Sequence, residues 1–145
     1  LDAVKRLGKE DPTWLDEAGG RAVKIISRLL YELPSDRNYR VLFMHRDLDE
    51  VLASQRQMLI RKGDGGSADD DSADSALKVA FERHVCEVTD WVRTQAYIEM
   101  LEIHFSDVHA DPRSISHRIA DFLDGELAID RMAAVVDGSL YRQHS

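Results

Sequence analysis

Arg46 and Ser54 are the two residues whose types and spacing suggest chemistry. They lie in RVLFMHRDLDEVLAS, positions 40–54, where an apolar run ends at His45-Arg46 and a helical pattern begins at once. In open α/β sheets, ligands bind beyond the carboxyl ends of the strands. A helix N-terminus adds free backbone N–H groups and the positive end of the macrodipole. An arginine at that junction can grip a phosphate through two parallel hydrogen bonds, and a hydroxyl about two turns into the helix can donate one more. The pair therefore reads as a phosphate clamp. The plainer alternative is that Arg46 pairs with Asp47 or Asp49 and Ser54 is an ordinary helix-surface serine. Spacing alone does not choose between them.

The elements that must position these residues follow from hydrophobic period and turn chemistry. Asp11-Pro12 is a helix start, with Asp11 as N-cap and Pro12 in the first turn, and Gly19-Gly20 stops that helix. RAVKIIS, 21–27, is short and rich in Val and Ile, which predicts a buried strand. RLLYELP gives a turn or two of helix ended by Pro34. Tyr39 to Met44 predicts a strand apolar on both faces, as in a parallel sheet. Asp47 fits an N-cap with Glu50 three residues on, and Val51, Leu52, Met58 and Leu59 form the buried stripe of the helix that follows. GDGGSADDDSAD, 63–74, is poor in apolar side chains and dense in acid, so it reads as a mobile acidic loop. A long helix is expected from Ser75, a strand at 100–105, a helix capped by Asp111 with Pro112 in its first turn, and a short helix at 130–136. Strands alternating with helices imply parallel βα units. The expected fold is α/β and three-layered, with a short parallel sheet of strands near 22–27, 40–45 and 100–105 flanked by helices.

Length and charge bound the function. The 145 residues, 43% hydrophobic and 32% charged, suit one domain with a core of its own. A formal net charge of -8 argues against non-specific nucleic-acid binding, which needs a basic face. A single cysteine, Cys86, cannot close an intrachain disulfide, which favours a reducing, cytoplasmic setting. No apolar run approaches the ~20 residues of a membrane span. The chain opens on Leu1 rather than methionine, so a preceding segment is expected.

YRVLFMHRDLDEVLASQRQMLIRKG resembles the 3′-phosphate-binding segment of the sulfotransferases that use 3′-phosphoadenosine 5′-phosphosulfate (PAPS), in which a strand, an arginine and a serine eight residues later hold the 3′-phosphate. The wording from Arg46 to Gln55 is most similar to bacterial members. GRAVKIISRLLYELP resembles the preceding strand and connection, FSDVHADPRSISHRIADFL a later strand, loop and helix, and VVDGSLYRQ the C-terminal ending. The resemblance implies a partial P-loop NTPase-like fold and transfer of a sulfuryl group from PAPS to a hydroxyl or amine acceptor. It also implies adenosine 3′,5′-bisphosphate as product, no metal, and Arg46 with Ser54 as the cofactor-binding residues. Two features depart from the family. No glycine-rich phosphosulfate loop precedes the clamp, so the chain resembles the C-terminal part of such an enzyme, inactive alone. Lys24 matches the lysine of a Lys-Thr-His stretch, but Ile25 and Ile26 follow it and the histidine general base has no counterpart. By the resemblance Lys24 is the catalytic cation stabilising the leaving group; otherwise it is a strand-end lysine with its head in water.

Other residues carry blander readings. His84 and Cys86, and His104 and His109, lack zinc-site spacing. Ser106-Asp107 with His104 suggests a triad by composition only, since no nucleophile elbow surrounds the serine. Asp69-Asp70-Asp71 reads as solvated loop, and Tyr141-Arg142 as tail. Two function classes stay open: a sulfuryl-transferring enzyme or the larger part of one, and a non-catalytic relative kept for nucleotide binding or protein association. A P-loop kinase is a weaker third. The acceptor and the oligomeric state are not written in the sequence.

Overall fold

The computed structural model describes residues 15–16, 18–52 and 71–137. It is a small α/β structure whose sheet has two parallel strands, β1 (Tyr39–His45) and β2 (Ile98–His104). The ladder opens where the Tyr39 N–H donates to the Tyr97 carbonyl at 2.8 Å. A 3-10 helix at Ser27–Glu32 precedes β1. Among the described residues a helix opens at 48, and later in the chain come α1 (Asp71–Arg93), α2 (Phe105–Ala110), α3 (Pro112–Leu123) and α4 (Ile129–Ala134). Among the described residues, no helix is long and apolar enough to cross a membrane.

The chain divides into two compact units. The first comprises 1–39 with 84–99. Leu30, Leu33, Val88, Val92 and Ile98 are its buried apolar side chains. Thr89 is buried there too, in the interior of α1, where its hydroxyl donates to the carbonyls of Val85 (2.9 Å) and Cys86 (3.1 Å). This back-bonding satisfies the polar atom without a distant partner. Tyr31 meets Trp91 with ring centroids 4.7 Å apart. Tyr39 and Tyr97 meet edge to face, and the Tyr39 hydroxyl is buried with no hydrogen-bond partner among the described residues.

The second unit comprises 40–83 with 100–145. Phe43, Leu52, Ile103 and Ile115 are buried, and α3 packs against both α2 and α4. The Asp47 side chain accepts from the N–H groups of Asp49 (2.8 Å) and Glu50 (3.4 Å), and the Val51 N–H donates to the Asp47 carbonyl at 3.1 Å. Asp47 is thus the N-cap that its position predicts, opening a helix at 48. Asp111 caps α3 in the same way, accepting from the Ser114 N–H at 3.0 Å with Pro112 at the helix start. The other end of α3 closes on Asp124, which takes the left-handed conformation (φ 49°, ψ 35°) while the Gly125 N–H donates to the Ala120 carbonyl at 3.3 Å. This six-to-one bond is a Schellman closure with aspartate where glycine is usual. The Asp124 carboxylate also pairs with Arg40.

Four expectations need correction. Residues 22–26 do not form a strand: Ile26 is extended but unpaired, Ile26 is 66% and Val23 42% exposed, and the chain passes straight into the 3-10 helix. A strand requires a neighbour to take its backbone groups, which an apolar run cannot specify on its own. β1 is not apolar-buried on both faces: Phe43 is buried while Leu42 and Met44 are 40% and 45% exposed, the period-two pattern of a strand covered on one side. The long helix begins at Asp71 rather than Ser75, so 71–74 of the expected acidic loop are helical, while 63–70 lie outside the described residues. The strand expected at 100–105 ends at His104, and Phe105 with the stretch after it, a loop by the family resemblance, forms α2. The expected helix cap at Asp11-Pro12, the inward Met58 and Leu59, and Tyr141-Arg142 also lie outside the described residues.

Candidate functional site

β1 and β2 end side by side at His45 and His104, and their carboxyl ends carry the densest chemistry of the second unit. Alternation along a strand sends Phe43 and His45 to one face of β1, and Glu102 and His104 to one face of β2. Contacts across the pair follow from that register. His45 Nε2 lies 2.8 Å from Glu102 Oε2. The His45 ring is 4.9 Å from that of Phe43, and it stacks on His104 at 5.0 Å with 24° between planes. The His45 side chain is mostly covered (19% exposed), that of Glu102 less so (36%). The Glu102 carbonyl accepts from the Arg118 guanidinium of α3 at 3.3 Å.

One residue past β1, Arg46 sets its guanidinium carbon 4.5 Å from the centre of the Phe105 ring, at the start of α2. Phe105 in turn meets His109 edge to face at 4.7 Å. Arg46 is exposed and forms no ion pair with a described acid. The acids nearest in sequence are engaged elsewhere. Asp47 caps the helix that opens at 48, and Asp49 takes Lys78 Nζ at 2.7 Å, which raises the Lys78 pKa above its ordinary value. The alternative pairing of Arg46 with Asp47 or Asp49 is therefore not what forms. An exposed cation held over an aromatic face retains donors for an incoming anion.

The other expected site residues fare differently. Ser54 lies outside the described residues. Lys24 is exposed on the unpaired 22–26 segment of the first unit, so the strand end meant to position it does not exist, while Arg46 belongs to the second unit. His84, read as merely packed or solvated, places Nε2 2.8 Å from the Ser27 hydroxyl. His104, Ser106 and Asp107 form no hydrogen bond to one another. No group of three or more His, Cys, Asp or Glu among the described residues could hold a metal ion. The His45–Glu102 pair escaped sequence reading. Its only signal was a histidine at the last position of one strand and an acid two residues before the end of another.

No protein-family model matches the chain, and no solved structure does either. Among curated proteins the chain is similar to the chaperone protein HtpG of Halalkalibacterium halodurans, 28% identical over 138 residues that make up 90% of this chain and 21% of that protein. The chain thus spans about a fifth of the length of the curated relative it matches. This finding overturns the sulfotransferase resemblance and the PAPS-dependent transferase assignment built on it, because the similarity that emerges is to a chaperone segment and not to a sulfuryl-transferring enzyme. The strand–arginine–helix wording that suggested the family is a local pattern, and many unrelated α/β junctions meet the same physical demands.

Proposed function

We propose that this chain binds a phosphorylated small molecule of nucleotide type at the carboxyl end of β1, with Arg46 as the anion contact and Ser54 as the second donor. One observation carries the reading: Arg46 is an exposed guanidinium stacked on Phe105, with no acid among the described residues paired to it. A finer three-layer, nucleotide-binding architecture and a cytoplasmic setting belong to the same proposal. Lys24 is left out of it, because its catalytic role came from the family resemblance. Calorimetry with adenosine 3′,5′-bisphosphate, AMP and inorganic phosphate tests it. Hydrogen bonds to a charged group contribute about 1.5–3 kcal/mol each, so Arg46→Gln is expected to weaken bisphosphate binding at least about tenfold. Arg46→Lys recovers part of that, because an ammonium lacks the planar fork. Equal affinities of wild type and Arg46→Gln for every ligand would reject the clamp.

A second reading is favoured by the similarity to HtpG: the chain acts as a chaperone-type segment that holds unfolded polypeptide. The exposed Leu42 and Met44 of β1 offer apolar surface for such a role. Suppression of the heat-induced aggregation of a client enzyme at equimolar chain supports it, and unchanged light scattering rejects it.

A further inference from the structure

We infer that His45, oriented by Glu102, is a proton-transfer group for a hydroxyl-bearing ligand at the carboxyl end of the two strands. The inference rests on the phosphate-ligand reading in one respect, that a ligand reaches this end of the sheet. An ionised carboxylate only accepts hydrogen bonds, so the 2.8 Å contact has His45 Nε2–H donating to Glu102 Oε2. In the neutral ring this contact places the proton on Nε2 and the lone pair on Nδ1, to which no described residue donates. The ring is further restrained by Phe43 and by the stacked His104, while Arg118 ties the backbone of Glu102 to α3.

An imidazole oriented by a carboxylate on one nitrogen and bare on the other is the arrangement general-base catalysis requires. In the step assigned to it, the ligand O–H bond breaks and an Nδ1–H bond forms. The electron pair stays on the ligand oxygen, and the Glu102 carboxylate stabilises the resulting imidazolium. Glu102 is the positioning residue, His45 the catalytic one. The charged and titratable groups around them include His104 on β2, Arg118 on α3, and Arg46, the next residue along, over the Phe105 ring. The competing explanation is a partly exposed ion pair of little consequence.

Two measurements on the full chain separate these. Nitrogen-15 NMR of the side chains is expected to find His45 as the Nε2–H tautomer, and as a tautomer mixture in Glu102→Leu. With p-nitrophenyl acetate as probe, water replaces the ligand hydroxyl: His45 takes its proton, the oxygen bonds to the acetyl carbon, and p-nitrophenolate leaves. His45→Gln is expected to lower this rate at least tenfold, Glu102→Leu several-fold, and Glu102→Asp to recover part of the loss. Circular dichroism confirms that each variant is folded, and Glu102→Leu decides the matter if His45→Gln is not. An Nδ1–H tautomer in the wild type, or a rate within twofold of wild type in both His45→Gln and Glu102→Leu, overturns the inference. Arg46→Gln distinguishes the two readings. If bisphosphate never binds but the ester rate depends on His45, the dyad stands and the clamp falls. If bisphosphate binds through Arg46 but the ester rate ignores His45, the dyad falls and the clamp stands.

Discussion

Replacing Ile103 by alanine tests whether the centre of β2 is the keystone of the second unit. Ile103 has no exposed surface, whereas Leu42, a side chain of the same size on the neighbouring strand, is 40% exposed. Ile103→Ala deletes three carbons at about 0.8 kcal/mol each, or roughly 2.4 kcal/mol of lost burial. The cavity left behind raises this toward ~4 kcal/mol if the walls do not collapse. Leu42→Ala deletes as many carbons from a side chain already wetted, so its cost is expected to stay below about 1.5 kcal/mol. Urea titration followed by far-ultraviolet circular dichroism reads the difference. With a slope of about 1–3 kcal/mol per molar, Ile103→Ala moves the midpoint down by about 1–3 M at constant slope. Equal midpoint shifts for the two variants would refute the reasoning, because burial is the one thing that separates them.

Asp111→Ala removes the side-chain acceptor of the Ser114 N–H and is expected to cost about 1 kcal/mol, a drop of roughly 3 °C in the melting midpoint; Asp111→Asn keeps an acceptor and most of the stability. Tyr39→Phe deletes a buried hydroxyl without a hydrogen-bond partner among the described residues, so chemical denaturation is expected to find stability unchanged or higher. Burial also pushes the Tyr39 phenol above its ordinary pKa, so the fold favours its neutral form. Its stabilising contribution is whole below the ordinary phenol value of about 10 and is lost as pH rises from there through the folded value. Alkaline unfolding should therefore be less steep in Tyr39→Phe, and identical alkaline limbs would contradict the assignment.

What could be read directly from the sequence was local. The caps at Asp47 and Asp111 each join residues within three positions, and the strand runs beginning at Tyr39 and near Met100 carry their own β-branched and aromatic bias. Position 26 failed for the opposite reason. Its backbone is extended as expected, but pairing is a property of two segments and the second is not provided. The His45–Glu102 contact spans 57 residues, as does that of Ser27 with His84, and nothing in either neighbourhood encodes the other end. Arg46 stood out as a candidate because an arginine at a strand–helix junction is conspicuous in sequence; that Asp47 and Asp49 are engaged elsewhere was not legible there. Nor was the stacking of Arg46 on Phe105, since this depends on the register of two distant strands. The family resemblance failed at the same boundary: a motif that repeats common junction physics says more about the junction than about ancestry.

The left-handed aspartate that ends α3 bears on how this molecule ages. Among aspartyl dipeptides Asp-Gly is the most prone to cyclise, the glycine nitrogen attacking the aspartate carboxyl to give a succinimide that reopens largely to isoaspartate. At Asp124-Gly125 both reactants are engaged: the glycine N–H is bonded to the Ala120 carbonyl, and the carboxylate is paired with Arg40. Cyclisation needs both released at once, which happens when the end of α3 unravels. Isoaspartate at position 124 would therefore accumulate in proportion to time spent with that helix end open, so the chain carries a chemical record of its own local unfolding.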